Sequence, residues 1–483
     1  MKQVAGYIPP GFEEEIEWQT LNFKNNKDTL EVSVPILSRE QVSTLVARIK
    51  KNSRDVLKSF TVNQIIHIID EAIAKFLSRS SPYRKKAERL LPIITGYDEE
   101  IIRLGLTSYF KTFRKPQLQR FLVEDFTNPM LLDEFQPRPK GGFSKALGHD
   151  LIVHVWAGNV PALPLWSLIS GLLVKSGSIG KVSSDEPLFA GLFVQALIEV
   201  EPRLADCMAI IWWKGGDQER EACLFRQADV IVGYGSNQTL ASLRNKIPIT
   251  TRFLSFGHKI SFGLISKASL DPRKAVQTAY DAARDIARYD QQGCYSPHFF
   301  FVQKGGSVST SEFARYVAHE LACFEKRYPR RTLTLEEMTA NVAWRNREEL
   351  SAFHESTKEV MSDSLNNWTV VYEENCKEIT PSSLNRVVKI IAVDELEEII
   401  GYIEPFCQLL QTVGIAATPK ELFNISDLLA NVGVNRITAL GNMTSPESGW
   451  HHDGRFNLLD LVNMVDIEHS AEEYSEKFAP YVD

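Results

Sequence analysis

No run of about 18 consecutive apolar residues occurs in the chain, so a membrane-spanning helix is not expected. The longest apolar stretch, around Leu163 to Val174, is broken by Ser167, Ser170 and Gly171. The opening MKQVAGYIPPGFEEEIEW has no apolar h-region and soon turns acidic, so it does not read as a signal peptide. Basic excess is missing too: the net charge of -7 leaves no electrostatic footprint for nucleic acid. The six cysteines, Cys207, Cys223, Cys294, Cys323, Cys376 and Cys407, form no CxxC pair. A disulfide framework is therefore not expected, and a reducing cytoplasm fits. Nor does the chain hold a GxSxG elbow, a P-loop, an HExxH helix or a kinase signature. Internal repeats and low-complexity tracts are likewise absent.

What is present is an ordinary globular composition, and 483 residues imply two or three domains. Short strands and turns fill roughly the first 45 residues, including Thr29 to Leu37. From Ser38 to about Phe121 the pattern is helical. Ser38 caps a helix with apolar residues Val42, Leu45, Val46 and Ile49, and Val62, Ile65, Ile66 and Ile69 repeat the spacing. Another helix is expected near Glu99 to Phe113. Asn128 to Gly142, rich in Pro and Gly, reads as a connection. Beyond it strands and helices alternate: a strand at Leu151 to Trp156, a helix at Ala162 to Leu173 running into a strand that ends at Lys175, and a helix at Asp185 to Val200. Strands at Cys207 to Trp213 and Ala228 to Val232 follow. This alternation argues for a parallel α/β sheet that binds ligands at the carboxyl ends of its strands. A helix opens at Asp271-Pro272 and is expected to stop near Gly293, delivering Cys294 at its end. A buried strand at His298 to Val302 and a helix around Glu312 to Phe324 come next.

Four places hold chemically useful side chains. Cys294 lies between Gly293 and Pro297, and a thiol suits acyl capture because its thioester stays reactive. Taken singly it also reads as a small buried hydrophobe. Asn159, just after the Leu151 strand, offers an amide to an oxyanion or merely shapes a turn. Lys175-Ser176-Gly177 and Gly233-Tyr234-Gly235-Ser236 both follow apolar strands, where glycine lets a phosphate approach a helix N-terminus. Ordinary loop glycines explain these pairs about as well. Trp450-His451-His452-Asp453-Gly454 lacks metal-ligand spacing, so a structural or substrate-adjacent loop is the reading and no metal is expected.

In order, the segments HVWAGNVPALPLWSLISGLLVKSGS, ADVIVGYGS, RFLSFGHKISFG, ARDIARYDQQGCYSPHFFFV and GVNRITALGNMTSPESGWHHDGRFNLLDLVNMVD resemble the LuxC family, the acyl-CoA reductases of bacterial bioluminescence within the aldehyde dehydrogenase superfamily. They span about Leu151 to Asp466. The resemblance implies an α/β, aldehyde dehydrogenase-like fold. It implies a mixed or helical region over 1–140 contributing to the cofactor domain, a Rossmann-like NADP-binding domain over 141–265, a catalytic domain over 266–435 carrying Cys294, and a C-terminal segment over 436–483 with a role in oligomerisation.

It further implies Cys294 as nucleophile and Asn159 as oxyanion donor. Lys175, with Ser176 beside it, is to meet the adenosine ribose, and Gly233, Gly235 and Ser236 are to form the pyrophosphate turn. The general base of hydrolytic relatives should fall at about Ser255, where no acid stands. An acyl-enzyme spared hydrolysis survives to be reduced, which fits a reductase. An acid three positions beyond the ribose lysine would repel a 2′-phosphate; that position is Ser178, so NADPH is the expected cofactor. The implied activity is reduction of long-chain fatty acyl-CoA, or of a protein-delivered acyl group, to the aldehyde used in luminescence. The implied partners are an acyl-protein synthetase and an acyl-transferase, with self-association of the chain. The alternatives are an oxidising aldehyde dehydrogenase, a reductase of other acyl groups, and a non-catalytic acyl- or nucleotide-binding component.

Overall fold

A three-stranded N-terminal sheet, β1 (Lys2–Val4), β2 (Glu17–Lys24) and β3 (Thr29–Ile36), precedes helices α1 (Arg39–Asp55), α2 (Val62–Leu77), α3 (Pro82–Thr95), α4 (Glu99–Lys111) and α5 (Lys115–Asp125). Ser38 and Gln41 close a capping box on α1, and Val42, Leu45, Val46 and Ile49 form its buried face. After the short strands β4 (Gln136–Pro137) and β5 (Phe143–Gly148), strands alternate with helices: β6 (Leu151–Val155), α6 (Pro164–Leu173), β7 (Gly177–Lys181), α7 (Phe189–Val200), β8 (Met208–Ile211), α8 (Gln218–Phe225), β9 (Val230–Tyr234), α9 (Asn237–Arg244) and β10 (Arg252–Phe256). This computed structural model describes residues 1–12, 16–25 and 27–480. It divides into two units, one of residues 1–94, 106–257 and 447 onward, the other of 95–105 and 258–446. The boundaries thus fall at His258 and Glu447 rather than at 266 and 436.

In the first unit the five strands β6 to β10 form a parallel sheet of order β10-β9-β6-β7-β8. Leu151, Val153 and Val155 of β6 join the α1 stripe and Leu240 and Leu243 of α9 in one core. The alternate residues Ile152 and His154 face Gly171 of α6 on the other side. Both faces are covered, so β6 and β9 are buried along their whole length. From β6 the chain runs outward to β7 and β8, then returns to the far side of β6 for β9 and β10. That reversal between β6 and β9 is the switch point where open α/β sheets bind ligands. The C-terminal strand Val462–Ile467 pairs antiparallel with β5.

The strand expected to end at Lys175 is not there. α6 ends at Leu173, Lys175 takes a left-handed φ of 59°, and β7 starts two residues later at Gly177. The Lys175 N–H donates to Leu172 O and the Ser176 N–H to Gly171 O, both at 2.9 Å. This is a Schellman cap with lysine in the place glycine usually takes.

The second unit carries β11 (Ile260–Ile265), α10 (Pro272–Ala287), β12 (Pro297–Gln303), α11 (Thr310–Arg327), α12 (Leu335–His354), β13 (Lys358–Ser362), β14 (Thr369–Glu373), β15 (Val387–Val393), α13 (Ile399–Ile403), β16 (Leu410–Ala416), α14 (Pro419–Asn431) and β17 (Arg436–Ala439). Its seven-stranded sheet has the order β13-β14-β15-β12-β11-β16-β17, parallel except for β13 against β14. The alanine-lined face of α10, with α11, covers one side over Phe300, Val388 and Ile390. α13 and α14 cover the other over Phe299, Phe301 and Ile391. Among the described residues no helix is long and apolar enough to cross a membrane.

Candidate active site

Cys294 is not at the end of a helix. α10 stops at Ala287, and the next residues, Tyr289, Asp290 and Gln291, take left-handed φ values of 52°, 47° and 63°. Each such non-glycine residue costs roughly 1 kcal/mol or more, so the turn must be held by its surroundings. It is held at every residue. The Tyr289 carbonyl accepts from the Tyr97 hydroxyl at 3.0 Å, and Asp290 Oδ1 and Oδ2 accept from Arg386 Nε at 2.7 Å and the Arg331 N–H at 3.0 Å. Gln291 Nε2 donates to the carbonyls of Pro297 and Val387, while Gln291 Oε1 accepts from the Val387 N–H. The chain then forms a tight turn in which the Ser296 N–H donates to Gly293 O at 2.9 Å, with Cys294 and Tyr295 at its centre. Ser261 Oγ donates to the Cys294 carbonyl at 2.9 Å. Gly293 is required for space: a Cβ there would lie 2.4 Å from the Tyr295 ring. The result is a half-buried cysteine on a fixed backbone.

Two imidazoles stand at neighbouring strand starts, His298 in β12 and His258 just before β11. The rings of His258 and His298 meet edge to face at 5.7 Å, and His298 Nδ1 lies 3.3 Å from Ser382 Oγ. Burial pushes both pKa values down, that of His298 to about 4, so both rings are neutral at pH 7.

In the first unit, the carboxyl ends of the parallel strands collect the remaining polar candidates. Asn159 is exposed in the loop after β6. Gly233 and Tyr234 close β9, and Ser236 caps α9 by accepting from the Thr239 N–H at 3.2 Å. Ser255 of β10 stands in register with Gly233. Neither Gly233 nor Gly235 has a positive φ; Gly233 gives way to the Phe253 ring, which an added Cβ would meet at 3.0 Å. The Trp450-to-Gly454 motif is an aromatic wall. His452 stacks on Phe256 at 4.4 Å and meets Trp450 at 4.8 Å, while Phe256 in turn stacks on Tyr234 at 5.0 Å. Tyr234, Phe256 and His452, with Trp166, Phe456 and Leu461, line a pocket.

The family model for acyl-CoA reductase (LuxC) matches residues 57–464. The chain belongs to the LuxC family. It is 26% identical over 452 residues to long-chain acyl-protein thioester reductase 2 of Photobacterium leiognathi, covering 93% of this chain and 89% of that one. It is likewise 26% identical over 450 residues to the long-chain acyl-protein thioester reductase of Aliivibrio fischeri, covering 92% and 88%. Among solved structures it resembles an aldehyde dehydrogenase from Brucella melitensis biovar abortus 2308, with a TM-score of 0.70 at 13% identity over 93% of each chain. Aldehyde dehydrogenase 21 from Physcomitrella patens gives a TM-score of 0.72 at 11% identity, over 97% of this chain and 99% of that one. The fold is aldehyde dehydrogenase-like.

Within this LuxC chain Lys175, Ser176 and Ser178 stand away from the carboxyl ends of the parallel strands. Lys175 lies before β7, at the end of the sheet opposite the switch point, and its ammonium donates to Leu132 O and pairs with Asp133. Ser176 and Ser178 are fully buried, and Ser178 Oγ lies 3.2 Å from His154 Nε2 inside the sheet. Ser178 thus lies inside the sheet, near the start of β7. The physical reason is direction: the chain crosses the whole of β7 between Lys175 and the carboxyl ends of the strands. The lysine at those ends is Lys181, the last residue of β7. Burial lowers its pKa, with Glu221 and Asp185 opposing, and among the described residues it forms no ion pair. Its signal in the sequence is its place directly after Gly177-Ser178-Ile179-Gly180, the short uncharged stretch that forms most of β7. Asp290 and Arg386, 96 positions apart, left no such signal.

Proposed function

We propose that this chain reduces a long-chain fatty acyl thioester to the aldehyde through an acyl group carried on Cys294, with NADPH as reductant. The observation that carries this reading is a half-buried Cys294 on a turn whose Asp290, Gln291 and Cys294 carbonyl are each fixed by side-chain hydrogen bonds. The place where hydrolytic relatives are expected to hold their base is occupied by Ser255, which supports release by reduction rather than by water. The relatives named long-chain acyl-protein thioester reductases support the substrate class.

In this reading Cys294 sulfur bonds to the acyl carbonyl carbon. The oxyanion that forms collapses as the donor thiol leaves, taking up the proton that Cys294 gave. The Asn159 amide donates to that oxyanion, worth roughly 3 kcal/mol. After reduction, the adduct on Cys294 expels its thiolate, which regains a proton as the aldehyde departs.

The residues at the switch point fit a dinucleotide. A Cβ on Gly235 would meet nothing nearer than Thr239 Cγ2 at 3.3 Å, and α9 points its N-terminus at that opening. Lys181 adds a cation for ribose hydroxyls or phosphate. Gly233, Gly235, Ser236 and Lys181 would thus hold the cofactor, which when bound supplies the hydride. The residue three positions beyond Lys181 is Ser184, uncharged and accepting from Trp212 Nε1 at 3.1 Å, which favours NADPH over NADH.

An acyl-protein synthetase and an acyl-transferase are the proposed partners. Copies of this chain are proposed to meet through the sheet of β4, β5 and Val462–Ile467, on which Leu147, Met464 and Val465 are exposed.

The deciding experiment is peptide mapping after incubation with tetradecanoyl-CoA and no nucleotide. One acyl group on the peptide containing Cys294 is expected, and none on the Cys294→Ala variant. Stoichiometric acylation of that variant would end the reading. Acetyl-CoA in parallel separates chain-length classes.

A further inference from the structure

Two left-handed triplets lie side by side in the second unit. One is Tyr289–Gln291, leading into Cys294; the other is Leu384–Arg386, with φ of 64°, 59° and 65°, leading into β15. They are stitched together by backbone and side chain. The Asn385 N–H donates to Asp290 O at 3.0 Å, and Gln292 Nε2 donates to Asn385 Oδ1 at 2.9 Å. At the centre is a charge pair, Arg386 Nε to Asp290 Oδ1, with both side chains at most 2% exposed.

Arg386 does more than neutralise Asp290. Its Nη1 also donates to Glu325 Oε2 at 2.7 Å, and Glu325 belongs to α11. The guanidinium therefore ties the strained turn to a long, packed helix. The planar fork holds its Nε and Nη1 donors at fixed relative positions toward the two carboxylates, whereas the three donors of an ammonium rotate freely. On its other oxygen Asp290 accepts from the Arg331 N–H, so the carboxylate is fixed from two directions. Downstream, Ser261 fixes the Cys294 carbonyl, and Ser261 Oγ in turn accepts from the Thr412 N–H at 3.1 Å.

We infer that the Asp290–Arg386 pair is a positioning latch that aims the Cys294 thiol and N–H at the acyl carbonyl while touching neither substrate nor cofactor. Acyl transfer needs sulfur and an oxyanion donor set together, and displacement of about 1 Å costs up to a hundredfold in rate. The latch supplies that precision from 96 positions away. This rests on Cys294 being the acyl acceptor.

The test separates aim from reactivity. Asp290→Asn is isosteric, tolerates a left-handed φ and removes the charge. Two rates are measured on the full chain: acylation by tetradecanoyl-CoA, which needs the aimed geometry, and alkylation by iodoacetamide, which needs only an accessible thiol. The exposed Cys323 and Cys407 serve as internal alkylation standards. Acylation is expected to fall at least tenfold, with alkylation of Cys294 within about threefold of native and NADPH affinity within twofold. Arg386→Lys keeps the charge but not the fork, and is expected to fall between Asp290→Asn and native; it answers the same question should Asp290→Asn not fold. Native acylation in either folded variant overturns the latch. So does a parallel loss of acylation and alkylation, which would mean local unfolding. Neither result bears on the acceptor itself, which Cys294→Ala tests separately.

Discussion

Lowering the pH from 7 to 5 should cost this protein about 2 kcal/mol through His298 alone. The imidazole is buried with Ser382 as its side-chain partner, and its pKa falls from 6.5 to about 4 on folding. Between those values the unfolded chain binds a proton that the folded chain refuses. Stability is therefore complete above about 6.5 and is lost as the pH drops, by roughly 2 kcal/mol at pH 5 and about 3 kcal/mol below 4. Other buried groups move with pH as well. Asp285, raised to about 7 by burial, works in the opposite direction, because its folded form holds a proton the unfolded form has shed. The assay therefore compares wild type with His298→Gln, which cannot take a charge but keeps a polar group for Ser382. Urea unfolding at pH 7, 6 and 5 gives the difference in unfolding free energy at each pH, and contributions common to both proteins cancel. That difference should shift by about 2 kcal/mol toward the variant at pH 5. A difference constant to about 0.5 kcal/mol would refute a buried, neutral His298.

Asn159→Ala should lower acylation turnover by roughly two to three powers of ten, the loss expected for one oxyanion donor, read by single-turnover kinetics. Lys181→Met should raise the KM for NADPH at least tenfold with little change in melting temperature. Lys175→Met should do the reverse, leaving Asp133 buried without its cation and costing about 3 kcal/mol in urea unfolding. Ser255→Glu should divert the acyl group to free fatty acid, detected by chromatography; unchanged aldehyde yield would count against Ser255 as the position of the missing base.

Much of the first unit's architecture was legible along the chain. The Ser38 cap, the α1 stripe and the apolar strands β6 and β9 declare themselves through local spacing, because capping and amphipathic burial act over a few residues. The order of five motifs along the chain likewise points to the LuxC family. Lys175 was misplaced for a local reason: a helix running straight into a cap made of Lys175 and Ser176 looks, as a string, like a strand ending in a lysine. Only the hydrogen bonds to Leu172 and Gly171 show which end of the sheet it occupies.

The sequence by itself determined that a cysteine stood between Gly293 and Pro297 in a family of acyl-CoA reductases. What holds that cysteine was decided by tertiary structure alone: Arg386, Glu325, Arg331 and Ser261 converge on its turn from three separate stretches of chain. A left-handed turn without glycine carries no periodic or propensity signal, since it is stable only when distant groups satisfy it, and those groups become neighbours only after the sheet and α11 have packed.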